Sequence, residues 1–188
     1  DPASRRSGRR KVKHRSHLGA IGALAALGFA AAAPAFAQGE AAPGDIVHRG
    51  QIASAADGTR WVLDGDTGPQ IDSAQLKNRP EYTSHKWIIS DAGGDHVSIK
   101  NAKTNKCAAT ELVEPDSAVQ VRPCEQHDDL QKWKVEPGDG GTLVITPKND
   151  PALAVSVREL SKPGGRSPLV LKDRASSEKS RESLFTLP

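Results

Sequence analysis

Cys107-Ala108-Ala109-Thr110, then Val119-Gln120-Val121-Arg122-Pro123-Cys124, then Gln131-Lys132-Trp133 form the stretch that decides how this chain is read. Two cysteines 17 residues apart flank a segment that reads as a turn, and the runs around them alternate apolar and polar side chains. Such alternation over a few residues is the mark of half-buried strands. The stretch closes on a Gln-x-Trp, and weaker copies of the whole pattern lie on either side of it.

The copies are visible at three points. His85-Lys86-Trp87, Gln131-Lys132-Trp133 and Ser183-Leu184-Phe185 each end on an aromatic, the aromatics standing 46 and 52 residues apart. Upstream of each lies an early strand: Arg60-Trp61-Val62-Leu63, Lys106-Cys107-Ala108-Ala109 and Ala152-Leu153-Ala154-Val155. A middle strand recurs as Ser117–Val121 and Ser167–Leu171, with Ser73-Ala74-Gln75-Leu76 as its counterpart in the first unit. A unit of this length cannot bury its apolar face alone, whereas three together can close a barrel around one core. The competing reading is an unrelated β-sandwich. Under the three-fold reading Trp87, Trp133 and Phe185 share one interior. Other short runs, such as Trp87-Ile88-Ile89 and Thr142–Ile145, are split by turn signals such as Asp64-Gly65-Asp66 and Pro137–Gly141, the pattern of an all-β domain. Ala175–Ser183 is polar and reads as loop rather than as a single helical turn.

The chain has 188 residues, room for one ordinary domain, but its first 37 differ from the rest. Seven basic residues between Arg5 and Arg15 precede an apolar run, Leu18–Ala33, and Ala35-Phe36-Ala37. A basic head, a short apolar centre and an Ala-x-Ala end describe a secretory signal peptide cleaved after Ala37. The alternative is a membrane anchor, against which stand Gly19, Gly22, Gly28 and Pro34 and a length short of the roughly 20 residues a span needs. Residues 38–44 then read as a flexible mature terminus and 45–188 as the domain. Without the leader, 19 basic and 22 acidic residues remain, about −3 instead of +3. The basic balance is therefore no argument for nucleic acid as a partner. Two cysteines in an exported chain point to a Cys107–Cys124 disulfide, stabilising by about 3 kcal/mol in the chain-entropy picture.

The middle unit resembles the ricin B-type lectin family, a β-trefoil of three Gln-x-Trp repeats. The residues that carry the likeness are Ile99-Lys100-Asn101, Asn105-Lys106-Cys107, Val119–Cys124 and Gln131-Lys132-Trp133. The resemblance implies that the aromatics fill the barrel core, that Gln131 orients nearby backbone, and that both cysteines occupy the places of an intra-repeat disulfide. It also implies that sugar is held elsewhere. An Asp two residues after the first Cys and an aromatic just before the Pro-Cys do this, because a carboxylate accepts from neighbouring hydroxyls while a ring packs on the apolar sugar face. Carried over, the Asp position falls on Leu63, Ala109 and Ala154, the aromatic on Arg122 and Lys172, and the assisting amide on Leu130. A one-residue slip in the first unit brings in Asp64. Tyr82 is the aromatic left over as an exposed stacking platform once Trp61, Trp87, Trp133 and Phe185 are assigned to the core.

The expectation is a secreted, non-catalytic lectin-like module that binds glycan weakly through Asp64 and Tyr82. His127 and Asp128 are secondary candidates in a hairpin loop. The alternative is a protein-interaction module on the same scaffold, such as a protease inhibitor using Leu112–Ser117 or Ser161–Ser167. No cofactor, metal or stable membrane anchor after cleavage is expected, and the protein is expected to be a monomer. Asp64-Gly65-Asp66-Thr67-Gly68 begins like a calcium loop, but Gly68 and Gln75 stand where an EF-hand needs oxygen ligands, so it reads as a turn. Scattered histidines and the absence of a nucleophile elbow or a phosphate-cradling loop speak against an enzyme.

Overall fold

The computed structural model describes residues 44–78, 80–160 and 165–188. The expected leader (1–37), most of the expected mature terminus (38–43) and part of the 161–167 loop lie outside the described residues. The strands are β1 (Ile46–Gly50), β2 (Ala53–Ser54), β3 (Arg60–Leu63), β4 (Ile71–Ala74), β5 (Trp87–Gly93), β6 (His96–Asn101) and β7 (Cys107–Thr110). There follow β8 (Val119–Arg122), β9 (Trp133–Pro137), β10 (Leu143–Pro147), β11 (Leu153–Val157), β12 (Arg166–Asp173) and β13 (Phe185–Thr186).

Pairing is antiparallel throughout and closes on itself. β1 and its continuation β2 pair with β5 on one side and β13 on the other. From β5 the ring runs through β6, β9 and β10 back to β13. Three hairpins, β3–β4, β7–β8 and β11–β12, stand off this barrel. They join one another through β12 on β4 and through single bridges, Gln70 to Gln120 and Ala118 to Val170. A six-stranded barrel with three hairpins is a β-trefoil, one barrel closed from three like units.

The core follows from this closure. Trp61, Trp87, Trp133 and Phe185 are fully buried in one cluster with Ile89, Ile99, Leu169 and Leu171, so the shared aromatic interior is present. Trp61 meets Trp87 and Phe185 edge-on, ring centres 5.8 and 5.3 Å away, the arrangement ring quadrupoles favour. Buried indole N–H groups generally find an acceptor, and two of the three do so here, Trp61 Nε1 having none among the described residues. Trp87 Nε1 donates to the Trp61 carbonyl and Trp133 Nε1 to the Ala108 carbonyl, both at 3.0 Å. The same bond from two units shows that Trp61 and Ala108 occupy equivalent places.

Three local readings change. The first unit's middle strand is Ile71–Ala74, two residues earlier than Ser73–Leu76. Arg174–Lys179 forms a short helix, α1, because Asp173 caps it by accepting from the Ser176 N–H at 2.9 Å. The third concerns register. Gln70, Ala118 and Pro168 correspond, since they pair with Gln120, Val170 and Asp72 in turn around the cap. Those three face Ala109, Ser156 and Val62 across their own hairpins. The position assigned from sequence to Leu63, Ala109 and Ala154 is therefore Val62, Ala109 and Ser156. Trp61-Val62-Leu63 and Leu153–Val157 are buried at every residue, so no apolar–polar alternation marks which face is which.

Candidate functional site

None of the three corrected positions presents a carboxylate. Val62, Ala109 and Ser156 are all fully buried, and the Ser156 hydroxyl donates to the Ala154 carbonyl at 3.1 Å. Across the hairpins, the aromatic positions are Ala74, Arg122 and Lys172. Arg122 Nη2 donates to the Thr110 carbonyl at 2.7 Å and lies 3.7 Å from Asp128. Lys172 Nζ donates to the Arg158 carbonyl at 2.7 Å and pairs with Glu182 at 3.0 Å. Both cations are thus tied down within their own units.

In the first unit the corresponding space is filled. Tyr82 is only 8 % exposed, and its ring packs with Val62, Ala74 and Leu76. The reading of Tyr82 as an exposed stacking platform is corrected: with two small apolar residues at the family positions, the ring gains more by covering them than by facing water. Its hydroxyl remains polar and accepts from Arg166 Nη1 at 3.3 Å. Arg166, at the start of β12, also holds Asp64 at 2.5 Å through Nη1 and Asp72 at 3.3 Å through Nε. Asp64 and Tyr82 therefore meet at one guanidinium. Burial disfavours the Arg166 charge, but Asp72, the Tyr82 hydroxyl and Asp64 outweigh it and raise its pKa above the ordinary arginine value. The Asp64 and Arg166 side chains are 45 % and 39 % exposed, so the pair forms a polar rim over a buried ring.

A second carboxylate fixes this rim. Asp66 accepts from the backbone N–H of Thr83 at 2.9 Å and of Ser84 at 2.7 Å, and pairs with Lys103. Burial opposes its ionisation, yet bonds from Lys103, Ser84 and Thr83 prevail and hold the carboxyl well below the usual range. Gly68 (φ +85°) completes the turn; a Cβ there would lie 2.9 Å from Val121 Cγ2. Asp66 is legible as half of the Asp-Gly-Asp turn, but its partners are not. Arg166 and Asp72 carry no local signal, because only the closure of the cap brings β12 against β4.

In the second unit Cys107 and Cys124 are bonded, with Cα atoms 4.9 Å apart. Gln131 Oε1 accepts from the Glu125 N–H at 3.0 Å and its Nε2 donates to the Pro123 carbonyl at 2.9 Å, holding the loop after β8. Asp128 accepts from the Leu130 N–H at 2.9 Å, a cap on the Asp129–Gln131 turn. His127 is exposed, and no bond joins it to Asp128 among the described residues.

The ricin-type β-trefoil lectin domain-like family matches the chain over residues 83–168, which takes in the whole second unit. None of the curated proteins compared with the chain matches it. Among solved structures, a designed three-fold symmetric protein, ThreeFoil, superposes with a TM-score of 0.62 at 12 % identity, covering 74 % of this chain and 96 % of that one. The Rhizoctonia solani agglutinin gives 0.61 at 13 %, covering 78 % and 96 %. The Polyporus squamosus lectin, solved with the epitope Neu5Acα2-6Galβ1-4GlcNAc, gives 0.59 at 19 %, covering 77 % of this chain and 49 % of that one. At these identities the likeness is one of fold. The chain thus has the β-trefoil fold, and over residues 83–168, the disulfide-bearing unit, it is similar to the ricin-type β-trefoil lectin domain-like family.

Proposed function

We propose that this protein is an exported, monomeric, non-catalytic binding module of the lectin type, which contacts glycan weakly on the rim of its first unit. The observation that carries this reading is the convergence of Asp64, Asp72 and the Tyr82 hydroxyl on Arg166. A carboxylate beside a guanidinium offers adjacent acceptor and donor, the complement of neighbouring sugar hydroxyls. Because the Tyr82 ring is covered, the apolar sugar face lacks a stacking partner there, and affinity falls toward the millimolar range, about −4 kcal/mol. Screening folded protein on a glycan array, then titrating any hit against Asp64→Ala and Arg166→Ala, tests this. Binding that both substitutions abolish supports it, and an array without hits sinks it. Export is tested by sequencing the N-terminus of secreted protein, which is expected to begin at Gln38.

A second reading is a protein-interaction module. The observation favouring it is the loop after β7, where Leu112 is 57 % exposed between Glu111 and Glu114 while the loop itself is pinned. Thr110 Oγ1 donates to the Leu112 carbonyl at 2.5 Å, and the Asp116 N–H to the Leu171 carbonyl at 2.8 Å. Titrating secreted serine and cysteine proteases with the protein discriminates: the absence of inhibition at high micromolar concentration dismisses the inhibitor form of this reading.

A further inference from the structure

Beside the disulfide lies a cavity of about 360 Å³ that belongs to none of the three family positions. Its lining includes Cys107 and Cys124, Ala92, Asp91, Ser98 and Gln126, whereas Ala109, Arg122 and Leu130 are not part of it. The volume falls within the range of small-molecule sites, roughly 300–1,000 Å³.

Its chemistry follows from the strands that frame it. On β6, Val97 packs toward the core and Ile99 is fully buried, so Ser98 between them faces outward into the cavity. The disulfide and Ala92 supply an apolar part of the lining. Ser98, Gln126 and Asp91 line it as well, together with the charged Glu125 and with Lys132, whose ammonium is held by Asp129 at 3.0 Å. Among the described residues neither Ser98 nor Gln126 commits its side chain to another protein group, and Asp91 uses Oδ1 to accept from the Gly93 N–H at 2.8 Å. Donors and acceptors of both kinds are thus offered around one small apolar patch. The loop that carries Gln126 is fixed at both flanks, by Cys124 in the disulfide and by Gln131 on Pro123 and Glu125. A site held in this way needs little ordering when a ligand enters.

We infer that this cavity is a second binding site, on the second unit, for a polyhydroxylated ligand of about one pyranose ring. A hexose or N-acetylhexosamine presents one apolar face of C–H groups and a girdle of hydroxyls, matching a sulfur-and-methyl patch rimmed by hydroxyl, amide and carboxylate. The site is independent of the Asp64–Arg166 rim, so each can fail without the other.

Ligand-observed saturation-transfer NMR with glucose, galactose and N-acetylglucosamine, each at the same concentration, tests the inference. Ser98→Tyr fills the cavity from an outward-facing position, and Gln126→Ala removes one polar wall from an exposed loop; a thermal melt confirms that each is folded. The transferred signal of at least one sugar is expected to fall about fivefold or more in both variants, and to stay unchanged in Lys179→Ala on the opposite unit. Signal that persists in Ser98→Tyr, or no signal from any of the three sugars with wild-type protein, overturns the proposal. Signal lost in Asp64→Ala yet retained in Ser98→Tyr overturns it while sustaining the first-unit reading.

Discussion

The first and second units solve one problem with different residues. Each must hold the chain that precedes its core tryptophan while the indole reaches back to the early strand. In the second unit Gln131 does this with both ends of its amide, and the disulfide closes the same loop. In the first, His85 stands at the Gln position, and among the described residues its ring bonds only to the nearby Tyr82 carbonyl at 3.1 Å. The restraint comes instead from Asp66 on Thr83 and Ser84, while the Ser84 hydroxyl accepts from the Leu63 N–H at 2.9 Å and its carbonyl from Asn101 Nδ2 at 2.8 Å. What is kept between the units is the indole bond, not the motif residue. The Gln is one way of satisfying the backbone next to a buried ring, and a carboxylate from a neighbouring turn is another.

The equivalence is broken most severely at the rings. Trp133→Ala and Trp87→Ala are each expected to cost about 3–5 kcal/mol in urea unfolding, and similar losses would confirm that the two units carry the core alike. Replacing both Cys107 and Cys124 by Ser removes a restraint the first unit lacks and is expected to cost about 2–4 kcal/mol by the same measurement. Gln131→Ala leaves the Glu125 N–H and the Pro123 carbonyl without their partner, an expected loss of about 1–3 kcal/mol; His85→Ala, on a bond within its own loop, should stay below about 0.5 kcal/mol.

Acid sharpens the contrast further. The Asp66 carboxyl has a lowered pKa in the folded state. Between its folded and unfolded pKa values the unfolded chain therefore binds more protons, so its contribution is complete above the ordinary aspartate value, about 3.9, and fades as pH falls below it. Asp66→Asn should lower the melting midpoint at pH 7, and the gap to wild type should narrow by pH 3; a constant gap would show that Asp66 is not the first unit's clamp. Tyr82→Phe should also have a small effect, within about 1 kcal/mol, because the ring keeps its packing while the hydroxyl's bond to Arg166 is lost.

Much of the fold was legible in the sequence, because repetition is a global signal that survives local ambiguity. Trp87, Trp133 and Phe185 mark the unit ends, and the two cysteines mark the unit whose motif is intact. Register was less legible. Val62 and Ser156 lie in strands buried on both faces, where a slip of one or two residues leaves the apolar pattern unchanged. The candidate site was legible only in part. Asp64 and Tyr82 were singled out from their types and neighbourhood, but Arg166, which joins them, arrives from a different hairpin. That Tyr82 would turn its ring inward depends on Ala74, a residue whose role appears only once β3 and β4 are paired.

One feature of the barrel bears on how the molecule is made. The ring is completed by β13, two residues long, which joins β10 to β2 and so connects the last part of the chain to the first. During synthesis, the earlier strands can pair, yet the cylinder stays open until Phe185 and Thr186 emerge and lock against Ser54 and Ala53. A polypeptide proposed to thread a translocation pore benefits from this late latch, since the strands made before it leave β2 and β10 without the partner that closes the ring.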